Sequence, residues 1–213
     1  MGAKAHWETI YKTKRPDQVS WFQQEASLSL ALIRRIAPDS TAAIIDVGGG
    51  ASTLIDGLLA AGYRELRVLD LSPTALAEAR RRVGPTGAAV TWLEADVLGA
   101  KLPAAAFDVW HDRAVFHFLI EAADRARYVA QARQTVRPGG YVLVAAFAED
   151  GPTQCSGLPV ARYTADALYE EFGTGFRLVQ SAREEHVTPS GARQAFVYCL
   201  CQTHPPASKH HAA

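Results

Sequence analysis

The stretch Ile44-Ile45-Asp46-Val47-Gly48-Gly49-Gly50-Ala51-Ser52-Thr53 (IIDVGGGAST) decides the fold. An apolar run ends in an acidic residue, three glycines follow, and the next residues favour a helix. This order is typical of a buried strand, a tight loop and a helix N-terminus. Glycines in such a loop allow a positive φ and a close approach of the backbone to a ligand. The stretch therefore predicts a binding site for a nucleotide-like molecule.

Composition narrows the class of protein. The chain has 213 residues, enough for one α/β domain with a proper core, and its 22 Lys and Arg balance its 22 Asp and Glu. Because no global electric field results, we expect neither a nucleic acid nor a membrane as partner. The three cysteines are too few for a disulfide framework, and the N-terminus lacks the apolar core of a signal peptide. We therefore expect a soluble cytoplasmic protein.

Strand-like and helix-like segments alternate along most of the chain, which predicts a doubly wound, mostly parallel sheet covered on both faces. The predicted strands are 43–47, 66–69, 88–93, 107–110 and 141–147, and the main predicted helices are 73–82, 124–136 and 165–172. Segments 176–184 and 194–201 then predict an antiparallel hairpin that closes the sheet. A predicted helix over 24–36, with aromatic residues upstream, predicts a cap on the edge of the sheet.

These patterns divide the chain into three parts. Residues 1–38 form the predicted N-terminal cap, residues 39–203 the predicted catalytic domain, and residues 204–213 a flexible tail rich in Pro, Ser and Ala. The His210-His211 pair in the tail has no nearby ligand partner, so no metal site is expected.

Carboxylates follow two further predicted strands. Asp70 lies about 20 residues after the glycines, where a carboxylate accepts hydrogen bonds from the hydroxyls of a ribose. Asp96 follows the third predicted strand, although an acid there is often only a turn or helix cap. A dinucleotide fingerprint would place a small residue at position 53, where this chain has Thr53, so a nicotinamide cofactor is disfavoured but stays open.

The spacing D-x-G-x-G from Asp46 to Gly50, together with VRPGGYVLVAAF at 136–147, resembles the class I (seven-β-strand) S-adenosylmethionine-dependent methyltransferases. More narrowly, HWETIYKTK at 6–14, VSWFQ at 19–23, GYRELRVLDLS at 62–72 and FDVWHDRAVFHFL at 107–119 resemble the subgroup of elongation-factor-type lysine methyltransferases and their bacterial relatives. In those lysine methyltransferases the fourth strand tends to end in Asp-Lys-Gly-Thr. Here it ends Asp112-Arg113-Ala114-Val115, which disfavours a lysine acceptor.

The resemblance implies a Rossmann-like, seven-stranded sheet with an antiparallel C-terminal strand and an N-terminal helical cap. It also implies S-adenosylmethionine as cofactor and S-adenosylhomocysteine as product. On this basis Asp70 is expected to hold the ribose, Asp96 the adenine amino group, and Leu71 and Val97 the faces of the base. The full set of expected cofactor-binding residues is Asp46, Gly48, Gly49, Gly50, Asp70, Leu71, Asp96, Val97, Tyr11 and Trp21.

His111, Asp112 and His117 are the candidate catalytic residues, because they follow the fourth predicted strand and are expected near the reacting methyl. They could act as a base or orient the acceptor. The alternative is structural: Asp112 pairs with Arg113, and His117 packs in a helix. A metal site formed by these three residues is disfavoured, since no i, i+4 ligand pair is present.

The predicted activity is methyl transfer by in-line displacement to a small-molecule nucleophile. The alternatives are a protein lysine methyltransferase and a module that binds S-adenosylmethionine without catalysis. The sequence has no basic stripe with interleaved aromatic residues, so a nucleic-acid substrate is disfavoured. Cys155, in the loop after the fifth strand, is either a binder of a soft acceptor or inert, and the oligomeric state is left open.

Overall fold

The computed structural model describes residues 2–204, and a seven-stranded sheet runs through its centre. In chain order the strands are β1 Ile44–Val47, β2 Leu66–Asp70, β3 Thr91–Glu94, β4 Phe107–Arg113, β5 Val136–Phe147, β6 Gln154–Cys155, β7 Leu158–Pro159, β8 Phe176–Val187 and β9 Arg193–Thr203. The short strands β6 and β7 pair only with each other. The order in the main sheet is β3-β2-β1-β4-β5-β9-β8.

The first five strands of this order pair in parallel, and β9 runs antiparallel to both of its neighbours. The predicted fold class is therefore confirmed, including the antiparallel strand near the C-terminus. The direction in which strands are added reverses between β1 and β4. Ligands of open α/β sheets bind beyond the carboxyl ends of the strands at such a reversal.

Residues 2–204 contain six α-helices: α1 Ala3–Thr13, α2 Ser27–Ile36, α3 Leu54–Ala60, α4 Pro73–Val83, α5 Ala122–Thr135 and α6 Ala165–Phe172. Side chains alternate along β1, so Ile44 packs with α2 and α3 whereas Ile45 packs with α5 and α6. Both isoleucines are fully buried. This two-sided burial explains why β1 is apolar at almost every position.

Several predicted boundaries were wrong. The strand β4 was expected to end at Trp110, but it continues to Arg113 because residues 111–113 pair with residues 143–145 of β5. The strand β3 begins at Thr91 rather than at residue 88, because a 3-10 turn over 84–87 comes before it. Pro138-Gly139-Gly140 lies inside the beginning of β5, where Gly139 has a positive φ of 81°.

The predicted cap corresponds to the two helices before β1, although α2 begins at Ser27 and not at residue 24. The division into a cap of residues 1–38 and a domain of residues 39–203 stays a prediction. Of the predicted flexible tail, all residues after His204 lie outside the described part of the chain.

Glu8 attaches α1 to the N-terminus of α4. Its carboxylate accepts hydrogen bonds from the Ser72 hydroxyl at 2.7 Å and from the Thr74 hydroxyl at 2.5 Å. These two bonds lower the pKa of Glu8 to about 2. Since no residue of α1 is fully buried, this polar contact is a principal restraint on the helix.

We predict that Glu8→Ala loosens α1 and accelerates trypsin cleavage after Lys12 and Lys14. The matched control is Lys4→Ala, which removes only an exposed ion pair with Glu94, and such pairs contribute about 0–1 kcal/mol. Because the pKa of Glu8 is lowered in the folded protein, the attachment is complete above pH about 4.5 and is lost as the pH falls toward about 2. Equal cleavage rates in the two variants would contradict this role.

Candidate functional site

A cavity of about 440 Å³ opens at the carboxyl ends of the strands, where the strand order reverses. It is bounded by the sheet, by α1 and by the β6–β7 hairpin. Seven of the ten predicted cofactor-binding residues line it: Tyr11, Trp21, Gly48, Asp70, Leu71, Asp96 and Val97. The other three, Asp46, Gly49 and Gly50, lie behind this surface and shape it.

The glycine loop leaves no room for side chains. A Cβ atom on Gly49 would lie 2.5 Å from Asp46 Oδ2, and one on Gly50 would lie 2.5 Å from Asp70 Oδ2. Gly48 has a φ of +66°, a conformation that side chains rarely adopt. Because these glycines have no side chains, the backbone of the loop fits between the cavity on one side and the carboxylates of Asp46 and Asp70 on the other.

Asp70 and Asp96 occupy different environments. Asp70 is 7% exposed, its Oδ1 accepts a hydrogen bond from Ser72 N at 2.8 Å, and burial raises its pKa to about 7. Asp96 is exposed, and its Oδ1 accepts from Leu98 N at 2.9 Å, so it caps a turn while it lines the cavity. Asp70 is the carboxylate best fixed for a ligand.

Asp46 belongs to a buried chain of hydrogen bonds rather than to the cavity wall. Its Oδ1 lies 2.7 Å from His111 Nδ1, and His111 Nε2 lies 2.9 Å from the Ser29 hydroxyl of α2. All three residues are at most 3% exposed. Among the described residues, Asp46 Oδ2 has no hydrogen-bond partner.

None of the three predicted catalytic residues lines this cavity, and their catalytic role stays a prediction. The cause is the extra length of β4, which places His111 and Asp112 on opposite faces of a buried strand. His111 is turned to Asp46. Asp112 is fully buried and accepts from Val115 N, Phe116 N and the Tyr128 hydroxyl.

His117 is also fully buried, and its Nδ1 accepts from Phe147 N at 3.3 Å. Burial, helped by the positive charge of Arg113, lowers the pKa of His117 to about 3. His117 therefore packs in the core as a neutral side chain, which agrees with the structural alternative left open by the sequence. The other alternative, an ion pair between Asp112 and Arg113, does not form, because Arg113 pairs with Glu184.

Three further residues of the cavity wall bear on its chemistry. Trp7 lines the cavity and also packs edge-on against Trp21 and Phe118. Arg113 lines the cavity at the end of β4. Cys155, left open as a binder, lines it too, and burial raises the pKa of its thiol.

The residues present fit an adenosine-bearing cofactor. A buried carboxylate, Asp70, lies beside a slot walled by Leu71 and Val97, and the glycine loop offers backbone without side chains. Polar groups that converge on an apolar cavity are typical of cofactor sites. Within residues 2–204, no group of three His, Cys, Asp or Glu could hold a metal ion, and no helix is long and apolar enough to span a membrane.

We predict that Asp112→Asn lowers the free energy of unfolding by about 1–3 kcal/mol, because a buried acceptor of three hydrogen bonds is impaired. Binding of S-adenosylhomocysteine should be retained. The control is Asp17→Asn at an exposed ion pair with Arg15, for which a change within about 0.5 kcal/mol is expected. Denaturant unfolding and calorimetry measure the two effects. Unchanged stability combined with lost turnover would instead return Asp112 to a catalytic role.

Comparison with known families and proteins agrees with this geometry. Residues 44–140, from β1 to the start of β5, match the family described as "Methyltransferase domain". An uncharacterised methyltransferase of Mycobacterium tuberculosis is 31% identical over 121 residues. That match covers 55% of this chain and 56% of the relative, so the chain spans about half the length of the curated relatives it matches.

Two further similarities concern the subgroup and the fold. The mouse eEF1A lysine and N-terminal methyltransferase is 21% identical over 154 residues, which cover 70% of this chain and 22% of that protein. It gives weak support to the elongation-factor-type subgroup.

The Burkholderia thailandensis 1,6-didemethyltoxoflavin-N1-methyltransferase, solved with its substrate and S-adenosylhomocysteine, superposes with a TM-score of 0.73 at 20% identity. This superposition covers 94% of this chain and 87% of that one, and it shows a shared fold. Residues 44–140 are therefore similar to methyltransferase domains, and the whole described chain shares the fold of the Burkholderia enzyme.

Proposed function

We propose that this chain transfers a methyl group from S-adenosylmethionine to a small-molecule nucleophile. The observation that carries the proposal is a single cavity that combines the glycine loop, the buried carboxylate of Asp70 and a cover formed by α1. When bound, the cofactor supplies a methyl group already activated by a sulfonium. The protein then mainly has to align the acceptor with the methyl and exclude water.

Each wall of the cavity has a role in this proposal. Asp70 would accept hydrogen bonds from the ribose hydroxyls, Asp96 would accept from the adenine amino group, and Leu71 and Val97 would pack on the base. On the other side, the ring of Trp21 would face the sulfonium, where an aromatic face stabilises a cation by about 0.5–2 kcal/mol.

The size of the cavity favours a small acceptor. Its 440 Å³ lies toward the lower end of the range of about 300–1,000 Å³ for small-molecule sites, and the cofactor would take a large part of it. The Burkholderia protein of the same fold acts, by its name, on a small heterocycle. A protein lysine would have to enter past α1, which Glu8 holds in place.

Calorimetry tests the cofactor part of the proposal. Purified protein is titrated with S-adenosylhomocysteine and, separately, with NADH, and we expect micromolar binding of the first alone. Binding of NADH alone would overturn the proposal.

Turnover is then followed as release of S-adenosylhomocysteine with small thiols, carboxylates and amines, and afterwards with proteins. Turnover confined to a protein would favour the lysine methyltransferase. Cofactor binding without any turnover would favour a non-catalytic binding module.

We further predict that the affinity for S-adenosylhomocysteine rises with pH through about 7 and levels off above it. Burial raises the pKa of Asp70 to about 7, so the carboxyl group is largely protonated below that pH and loses acceptor strength. Asp70→Asn should remove this pH dependence and weaken binding by about 1–3 kcal/mol. A wild-type affinity that does not change between pH 6 and pH 8 would remove Asp70 from the ribose site.

A further inference from the structure

Arg113 is the one basic side chain among the described residues that line the cavity. The acidic residues of the wall are Asp70 and Asp96 at the ends of β2 and β3, and Asp124 at the start of α5. Arg113 ends β4, on the other side of β1. Neighbouring strands lie about 4.8 Å apart, so the guanidinium belongs to a different part of the cavity from the carboxylates proposed for the nucleoside.

The guanidinium is held from several directions. Its Nε donates to the Tyr198 hydroxyl at 2.9 Å and to Glu184 Oε2 at 3.3 Å, and its Nη2 donates to Glu184 Oε2 at 3.1 Å. Its Nη1 donates to the Trp21 carbonyl at 3.2 Å. Its carbon Cζ lies 4.1 Å from the centre of the Phe196 ring. The charge is therefore fixed in position before a ligand arrives.

These bonds leave donors unused. A guanidinium carries five N–H groups, and the contacts to Glu184, Tyr198 and Trp21 occupy three of them. The Arg113 side chain is only 8% exposed, and its partner Glu184 is 17% exposed. Burying an ion pair is costly, and packing alone would be served as well by apolar residues. Two N–H groups are therefore left over on a side chain that lines the cavity.

Resting on the proposed function, we infer that Arg113 binds an anionic group of the methyl acceptor, so that the substrates are small carboxylates or thiolates. Such an acceptor supplies the electron pair for the new bond to the methyl carbon. The carbon–sulfur bond breaks with its pair going to sulfur, and the sulfonium becomes a neutral thioether. The methylated acceptor is neutral too, and no proton has to be removed.

The rest of the cavity agrees with an acceptor that arrives deprotonated. His111, Asp112 and His117 do not reach the cavity, so none of the predicted proton acceptors is available there. Burial raises the pKa of Tyr11 above its usual range, which keeps its hydroxyl protonated. The mostly apolar wall strengthens the attraction between an anion and Arg113.

A purely structural role makes a different prediction. Arg113 and Glu184 both hold the segment after α1: Arg113 binds the Trp21 carbonyl, and Glu184 accepts from Gln23 Nε2 at 3.0 Å. If the pair only fixes this segment, then Arg113→Gln and Glu184→Gln should have similar effects. If Arg113 binds an anion, Glu184→Gln leaves the positive charge without its counter-ion and should preserve or strengthen anion binding.

The test uses inorganic iodide, a monatomic anion that quenches tryptophan fluorescence. Trp7 and Trp21 both line the cavity and report on it. The protein saturated with S-adenosylhomocysteine is titrated with iodide, and neutral acrylamide controls for general exposure. We expect saturable quenching in the wild type and in Glu184→Gln, and an apparent Kd raised about tenfold or more in Arg113→Gln. Arg113→Lys, which keeps the charge, should show an intermediate Kd.

Three results would overturn the inference. The first is quenching by iodide that is linear in the wild type, and the second is equal loss of saturation in Arg113→Gln and Glu184→Gln. The third is weaker binding of S-adenosylhomocysteine to Arg113→Gln with unchanged binding of 5′-methylthioadenosine, which would assign Arg113 to the carboxylate of the cofactor. Wild-type protein that does not bind S-adenosylhomocysteine at all would refute the proposed function itself, and that result is distinct from the other three.

Discussion

Two buried carboxylates packed against two glycines fix the edge of the sheet at which the cavity opens. Asp46 and Asp70 occupy the space that side chains at Gly49 and Gly50 would need. Each carboxylate is also connected by hydrogen bonds to one of the two helices before β1. Asp46 connects through His111 to Ser29 of α2. Asp70 binds Ser72 N, and the Ser72 hydroxyl donates to Glu8 of α1. Hydrogen bonds therefore connect these carboxylates to both helices that precede the sheet.

Three successive side chains of β4 contact three different parts of the structure. His111 faces α2, Asp112 faces α5 through Tyr128, and Arg113 reaches the cavity wall. Side-chain alternation places Asp112 on the face opposite to His111 and Arg113, and Arg113 lies two residues nearer the end of the strand than His111. This arrangement suits alignment of reactants by fixed charges and hydrogen bonds, because His111 and Asp112 are enclosed in the core.

The sequence was informative wherever local pattern governs the structure. The apolar run of β1 and its glycines predicted the loop, and the carboxylates after the next two strands predicted Asp70 and Asp96 on the cavity wall. It failed where distant segments decide the outcome. The end of β4 depends on pairing with β5, about 30 residues later, and the partner of Arg113 is Glu184 on β8. Both β5 and Glu184 lie too far along the chain to be included in a local sequence pattern around residue 112.

The sequence by itself determined the succession of strands and helices along the chain, the parallel sheet and the edge at which the cavity opens, because hydrophobic periodicity and glycine conformational freedom act over a few residues. Only the tertiary structure decided which polar residues face the cavity. Burial and hydrogen bonding between remote elements assigned His111, Asp112 and His117 to the core. The same long-range packing brought Arg113, Cys155 and Trp7, which lie far apart along the chain, to the same cavity.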